Sequence, residues 1–224
     1  VPSPDPVIGD RVVVRYRLSD AAPADWREVP NPVVAHGPSL SDVTGVLVSS
    51  DDAALVVLRD GRETVIPRSA VSSMRTLSRT VVRNSQIRDV ERALCAAAGG
   101  EHAAIDGWLL RAGGSGLRGN LAVPVDFGAS SASLPTVRAW FDDRGLPARA
   151  LLPDRLVRAG SIPVVDDGDA VEVLVCDHRP PVDAVELADG RWAVTVPADD
   201  PRAREAARRS GLTLHHTGRV HTLG

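Results

Sequence analysis

The residues that could do chemistry fall into a few short clusters. The most conspicuous is Gly113–Asn120, GGSGLRGN. Backbone amides in such a glycine-rich turn can point at a phosphate. A nucleotide-binding loop joins a strand to a helix, and this one joins two strand-like runs. It reads as a tight hairpin ahead of a phosphate cradle. His215-His216 and His221 have the look of metal-ligand spacing, but neighbours on a strand face opposite ways, so no metal is expected there. Cys176, Asp177 and His178 are adjacent on an apolar run and read as a small buried hydrophobe with polar neighbours, not as a nucleophile and base. Asp166, Asp167 and Asp169 form an acidic turn expected to be solvated, and Arg202, Arg204, Arg208 and Arg209 read as a solvated basic helix face.

Composition narrows the chemistry. The 224 residues carry a net charge of −3, and all 26 basic residues are arginine. With no lysine there is no lysine nucleophile, Schiff base or P-loop lysine. Near-zero net charge argues against bulk nucleic-acid binding. No apolar run reaches the length of a membrane-spanning helix, and Val1–Asp10 lacks a secretory pattern, so a cytoplasmic location is expected without membrane association. Two cysteines, Cys95 and Cys176, make neither a disulfide framework nor a metal knuckle.

These residues must be positioned by two different patterns. Before residue 78 the apolar runs are short: 11–18, 43–49, 54–60 and 63–71 read as strands, with Asp60-Gly61 as a hairpin turn. A proline-rich stretch at 19–39 reads as a long loop. After residue 83 helices enter. Ser85 is expected to cap a helix over 86–98, and Pro135 to start a second with Val137, Trp140 and Phe141 inward. Asp200 caps a third, with Pro201 at its first position and Gly211 after it. Runs at 108–111, 120–126, 148–152, 170–176 and 191–196 read as strands, and 213–220 as one or two more. The fold expectation is a small all-β barrel-like domain at 7–77 followed by an α/β (α+β) domain with a mixed sheet at 83–224.

GWLLRAGGSGLRGNLAVPVD at 107–126 and LPTVRAWFDDRGLPARALLP at 134–153 resemble the start of the GCN5-related N-acetyltransferase fold, in an actinobacterial subfamily. GDRVVVRYRL, TGVLVS and ETVIPRSAV are similar to the SH3-like N-terminal domain such members carry. The resemblance implies acetyl-CoA as cofactor and acetyl transfer to an amine on a small molecule or protein. It implies Trp108 as a pocket wall and Arg118 and Asn120 as polar substrate contacts. The residues read alone also allow Trp108 as core and Asn120 as a hairpin partner. DPRAREAARRSGLTLHH at 200–216 is similar to the family's terminal motif, whose positions fall on Asp200, Ala203, Ala206-Ala207 and Gly211-Leu212. The family's acid tyrosine falls on Ala207, which has no proton to give. The family's pyrophosphate motif, sought before the last helix, has no room where RWAVTVPA at 191–198 runs into that helix. The departures predict a shortened, catalytically impaired relative. The alternative is a non-catalytic binding or regulatory protein that uses both domains and a protein partner.

Overall fold

The structure, a computed structural model, describes residues 5–18, 40–77, 81–97, 99–114, 116–158 and 160–224. The chain divides into two compact units, Val1–Arg79 and Thr80–Gly224. The expectation of a long proline-rich loop at 19–39 lies outside the described residues.

In the first unit, β1 (Arg11–Arg17), β2 (Leu40–Ser50), β3 (Ala54–Arg59), β4 (Arg62–Pro67) and β5 (Val71–Thr76) form one antiparallel sheet in the order β4-β3-β2-β1-β5. Alternation fixes its faces: Val12, Val14 and Tyr16 are buried while Arg11, Arg15 and Arg17 are exposed. Val43, Leu47, Leu55, Val57 and Ile66 complete the core. Asp60 and Gly61 both take positive φ, 49° and 80°, as a two-residue hairpin with right-handed strand twist requires.

The expected SH3-like barrel is not present. Closure needs a ladder between the edge strands, and β4 and β5 are the two free edges of an open sheet. A short 3₁₀ turn at Arg68–Ala70 carries the chain from one edge to the other, where β5 pairs with β1. The free side of β4 keeps Arg62, Glu63 and Val65 exposed.

The second unit contains α1 (Asn84–Ala97), β6 (Glu101–Ile105), β7 (Trp108–Ala112), β8 (Leu121–Pro124), α2 (Leu134–Asp142), β9 (Arg149–Pro153), β10 (Asp169–Cys176), β11 (Val185–Glu186), β12 (Trp192–Pro197), α3 (Pro201–Arg209) and β13 (Thr213–Thr222). Its eight-stranded sheet runs β11-β12-β10-β13-β9-β8-β7-β6. The sheet is mixed: β8 and β9 are parallel, and the other paired neighbours are antiparallel.

Side-chain alternation gives each face its helices. Leu121, Val123, Leu151, Val171 and Val220 meet Cys95 of α1. Trp108, Leu110, Ala122 and Ala150 point the other way, onto Val137 and Phe141 of α2. Leu174, Cys176 and Val196 hold Ala207 of α3 on that second face. Helix α1 starts at Asn84, before the expected Ser85 cap, because Gln86 Oε1 reaches back to accept from the Arg83 amide at 2.8 Å. Helix α3 is built as expected: Asp200 Oδ1 accepts from the Ala203 amide at 2.9 Å, and Gly211 takes φ 83° beyond its end.

The α3 arginines are not a uniform solvated face. Arg202 and Arg209 are exposed, but Arg204 and Arg208 are buried. Their guanidinium groups donate to the two carboxylate oxygens of Glu172 on β10, at 2.8 and 3.0 Å. Glu172 is itself buried, so it draws both arginines inward. Among the described residues, no helix is long and apolar enough to cross a membrane.

Candidate functional site

The parallel pair is where the sheet opens. One residue pair, Ala122 and Ala150, is in register between β8 and β9. Both strands end in proline, Pro124 and Pro153, which has no N–H to extend a ladder. Beyond those ends the chains separate around a cleft of about 310 Å³. Clefts at the carboxyl ends of parallel strands are the usual ligand position in α/β sheets.

One wall of the cleft is the turn from β8 into the 3₁₀ segment Ser131–Ser133 and α2. This turn is pinned from beneath by the β6–β7 hairpin. The amides of Val125 and Asp126 donate to Gly107 O at 2.9 and 3.1 Å, and Ser133 Oγ donates to Asp106 Oδ2 at 3.0 Å. Trp108 Nε1 lies 3.4 Å from Ser130 O. Gly107 has φ 86°, and a Cβ there would sit 2.7 Å from the Ala129 amide nitrogen, so only glycine fits. No side chain makes a capping hydrogen bond to the 3₁₀ segment or to α2.

The lining is cationic and partly aromatic. Arg88, from α1, stacks over the Phe127 ring with its guanidinium carbon 4.1 Å from the centroid, and Phe127 is 91% exposed. Arg158 and the Ser130, Ser131 and Ser161 side chains face the same space, with Leu156 and Ile162 as apolar wall. Asp126 is the carboxylate of the described lining, and Arg92 pairs with it. Two guanidinium groups, an uncapped helix start and a free aromatic face suit an anionic ligand with a planar group.

A second polar cluster lies buried between α1 and the sheet. Glu91 on α1 accepts from Arg118 Nη1 and Nη2 at 2.9 and 2.7 Å. Arg118 Nε also donates to Thr195 Oγ1 on β12 at 2.7 Å. His216 Nε2 is 2.9 Å from Glu91 Oε1, and His215 Nδ1 is 2.8 Å from His216 Nδ1. Burial alone would raise Glu91, but the Arg118 charge and the hydrogen bonds outweigh it and hold the carboxyl at about 2. Burial, with His216 and Arg191 nearby, pushes His215 down to about 4. Burial also pushes the Cys95 thiol up to about 11, which keeps it protonated.

The expectation that His215 and His216 point apart is overturned by a β-bulge. Val173 pairs with His216 while Leu174 pairs with Leu214, so His215 is the extra residue. The bulge turns both imidazoles inward, where both are buried. Among the described residues, no group of three or more His, Cys, Asp or Glu side chains could hold a metal ion.

The family model described as "Probable histone acetyltransferase Rv0428c C-terminal" matches residues 84–221. The chain belongs to this family. It is also similar to a curated protein of Mycobacterium tuberculosis (strain ATCC 25618 / H37Rv), "Probable histone acetyltransferase Rv0428c", at 36% identity over 154 residues. The match takes in 68% of this chain and 46% of that protein, so the chain spans about half the length of its curated relative. No solved structure gives a significant match. Family membership supports the acetyltransferase relationship read from residues 107–153.

Within this family fold, the residues expected at a substrate pocket are each engaged. Trp108 is fully buried against α2, behind the cleft turn it bonds. Arg118 is the buried partner of Glu91, and Asn120 Oδ1 accepts from the Gly113 amide at 2.8 Å, closing the glycine-rich hairpin between β7 and β8. The structure does not bring the three to one surface. Ala207 is buried in the α3 core. The acidic turn is solvated as expected, with Asp166, Asp167 and Asp169 all exposed; Asp166 Oδ2 also accepts from the Thr222 amide at 3.0 Å, and Asp166 Oδ1 lies 3.2 Å from His221 Nδ1. Cys176 is buried, with its thiol donating to His178 O at 2.9 Å. Sequence reading missed Arg88, Phe127, Ser130 and Arg158. Their one local signal was the turn at 125–133, which runs from a strand to a proline-started helix.

Proposed function

We propose that the chain is an acetyl-CoA-dependent N-acetyltransferase relative whose donor site is the cleft between β8 and β9, and that its acceptor is an amine. The observation that carries this is the position of the cleft: the divergence of the one parallel strand pair, over the uncapped start of the following helix. The residues present fit the donor. Arg88 and Arg158 would neutralise phosphate charge, the Ser130–Ser133 amides would bond phosphate oxygens, and Phe127 offers a face to a planar base. Acetyl-CoA bound there supplies an activated acyl group as a thioester. Leu156 and Ile162 exclude water from the inner wall, and the Asp106–Trp108 hairpin fixes the turn so that its amides need not reorganise on binding. The curated relative's description as a histone acetyltransferase makes a protein amine the first acceptor class to try.

A second reading, donor binding without transfer in a protein that acts through a partner, is favoured by two observations. Arg92 pairs with the cleft carboxylate Asp126, and the buried Ala207 is the position on which the resemblance places the family's acid tyrosine. Both readings predict acetyl-CoA binding to the full chain by calorimetry. Arg88→Ala and Arg158→Ala are each expected to weaken it about tenfold, roughly 1.4 kcal/mol. Labelled acetyl transfer to a lysine-bearing histone peptide then separates the readings. No binding at millimolar acetyl-CoA, or binding unaffected by both substitutions, overturns the donor site.

A further inference from the structure

We propose that the His215–His216 pair is an acid-sensitive latch, which seats helix α1 and Arg118 on the sheet while it is neutral and releases them when it takes up a proton. The inference stands on the cluster's geometry and does not depend on a ligand in the cleft.

Counting protons on the pair decides its behaviour. Glu91 is ionised and can only accept, so His216 Nε2 carries the hydrogen shared with Oε1. In neutral His216, Nδ1 is then a bare lone pair. His215 Nδ1 must donate to it across the 2.8 Å contact. That leaves a lone pair on His215 Nε2, which is buried and has no hydrogen-bond partner. Every N–H of the neutral pair is thus satisfied.

A first added proton breaks this. If it enters His215, it sits on Nε2 as a buried N–H with no acceptor. If it enters His216 Nδ1, the shared hydrogen reverses, and neutral His215 must carry its own hydrogen on Nε2, again without acceptor. A second proton places two N–H groups head to head at the Nδ1 contact, which cannot persist. Either place for a first proton therefore leaves a buried His215 N–H without an acceptor, a cost that an unfolded histidine does not bear.

Of the surrounding charges, Glu91 and Asp189 favour a proton on His215, but burial and Arg191 outweigh them. From α1 the pair faces Glu91, itself committed to Arg118, and beyond it Cys95. From the β7–β8 hairpin it faces Arg118, and from the turn before β12 it faces Arg191, whose Nε donates to Asp189 at 2.8 Å. Each carboxylate near the pair already holds an arginine. What the latch holds is specific: Glu91 is the polar tie of α1 to the sheet, and Arg118 links the hairpin to Thr195 on β12.

The test is urea unfolding of the full chain at pH 7.5 and pH 5.0. His215→Asn keeps a donor where Nδ1–H stood but cannot titrate. A histidine held at about 4 when folded and near 6.5 when unfolded costs the folding equilibrium about thirtyfold between those pH values. The wild type is expected to lose that factor and His215→Asn to lose little of it. His215→Gln, which likewise removes the titrating ring at 215 and keeps an amide donor, is the second variant should the first not fold. Amide exchange over Val90–Cys95, corrected for intrinsic rate, is expected to speed up at pH 5.0 in the wild type and not in the variants. A variant that loses stability with acid in step with the wild type overturns the latch, as does one that is weakened equally at both pH values.

Discussion

Two strand-to-helix turns in the second unit look alike in sequence and differ in what they leave open. Both lead into a nine-residue helix with proline in its first turn. At β12–α3 the chain turns within Ala198–Asp200, and the Asp200 carboxylate covers the helix amides. At β8–α2 the turn is longer, a 3₁₀ segment intervenes, and no side chain caps either helical start. The first turn meets its own need for negative charge, and the second leaves that need to something else. A helix N-terminus attracts anions in both places. The turn whose helix starts have no side-chain cap is the one that lines the cleft.

The contrast can be broken in order of expected effect. Gly107→Ala puts a Cβ against the Ala129 amide at a positive φ, and removes the support under the open turn. The expected cost is about 2–3 kcal/mol in urea unfolding, combining steric strain with a disfavoured backbone region, together with loss of acetyl-CoA binding. A stable variant that still binds would mean the hairpin does not hold the cleft. Asp200→Ala opens the sealed turn and is expected to cost about 1 kcal/mol, the worth of an N-cap, without creating an acetyl-CoA site. Ser130→Asp seals the open turn with a carboxylate. It is expected to change stability by less than about 0.5 kcal/mol and to weaken acetyl-CoA about tenfold by calorimetry. Unchanged affinity in Ser130→Asp would show that the turn's charge preference plays no part in binding.

Local signals in the sequence were sufficient for α3, for the Asp60-Gly61 hairpin and for the buried stripe of α2. Each depends on residues within one turn or one helix. The same Asp-Gly signal stands at 106–107, and overlooking it cost the reading β6 and the support of the cleft. What the sequence could not display depended on distant partners. Arg204 and Arg208 look solvated until Glu172, more than 30 positions earlier, is placed under them by the β10 pairing. His215 and His216 obey strand alternation until the register against β10 slips by one residue. Arg118 looked like a pocket residue because its partner, Glu91, lies 27 positions away on a helix. The barrel expectation failed similarly. The strands of the first unit were legible one by one, but whether the last would meet the free edge of β4 was a property of the whole sheet.

The single rung between β8 and β9 also has a mechanical meaning. It makes the eight-stranded sheet two antiparallel panels, β6–β8 on one side and the remaining five strands on the other, stitched by almost no backbone bonding. Side chains carry the load across that seam. Cys95 lies against Leu121 and Val123 on one panel and Leu151, Val171 and Val220 on the other, so α1 acts as a splint. Arg118 is a guy-rope from the hairpin of the small panel to Thr195 on the large one. On the other face Val137 and Phe141 of α2 pack against Trp108, Leu110 and Ala122 of the small panel and Ala150 of the large one, so the seam is held by two helices and one arginine more than by the sheet.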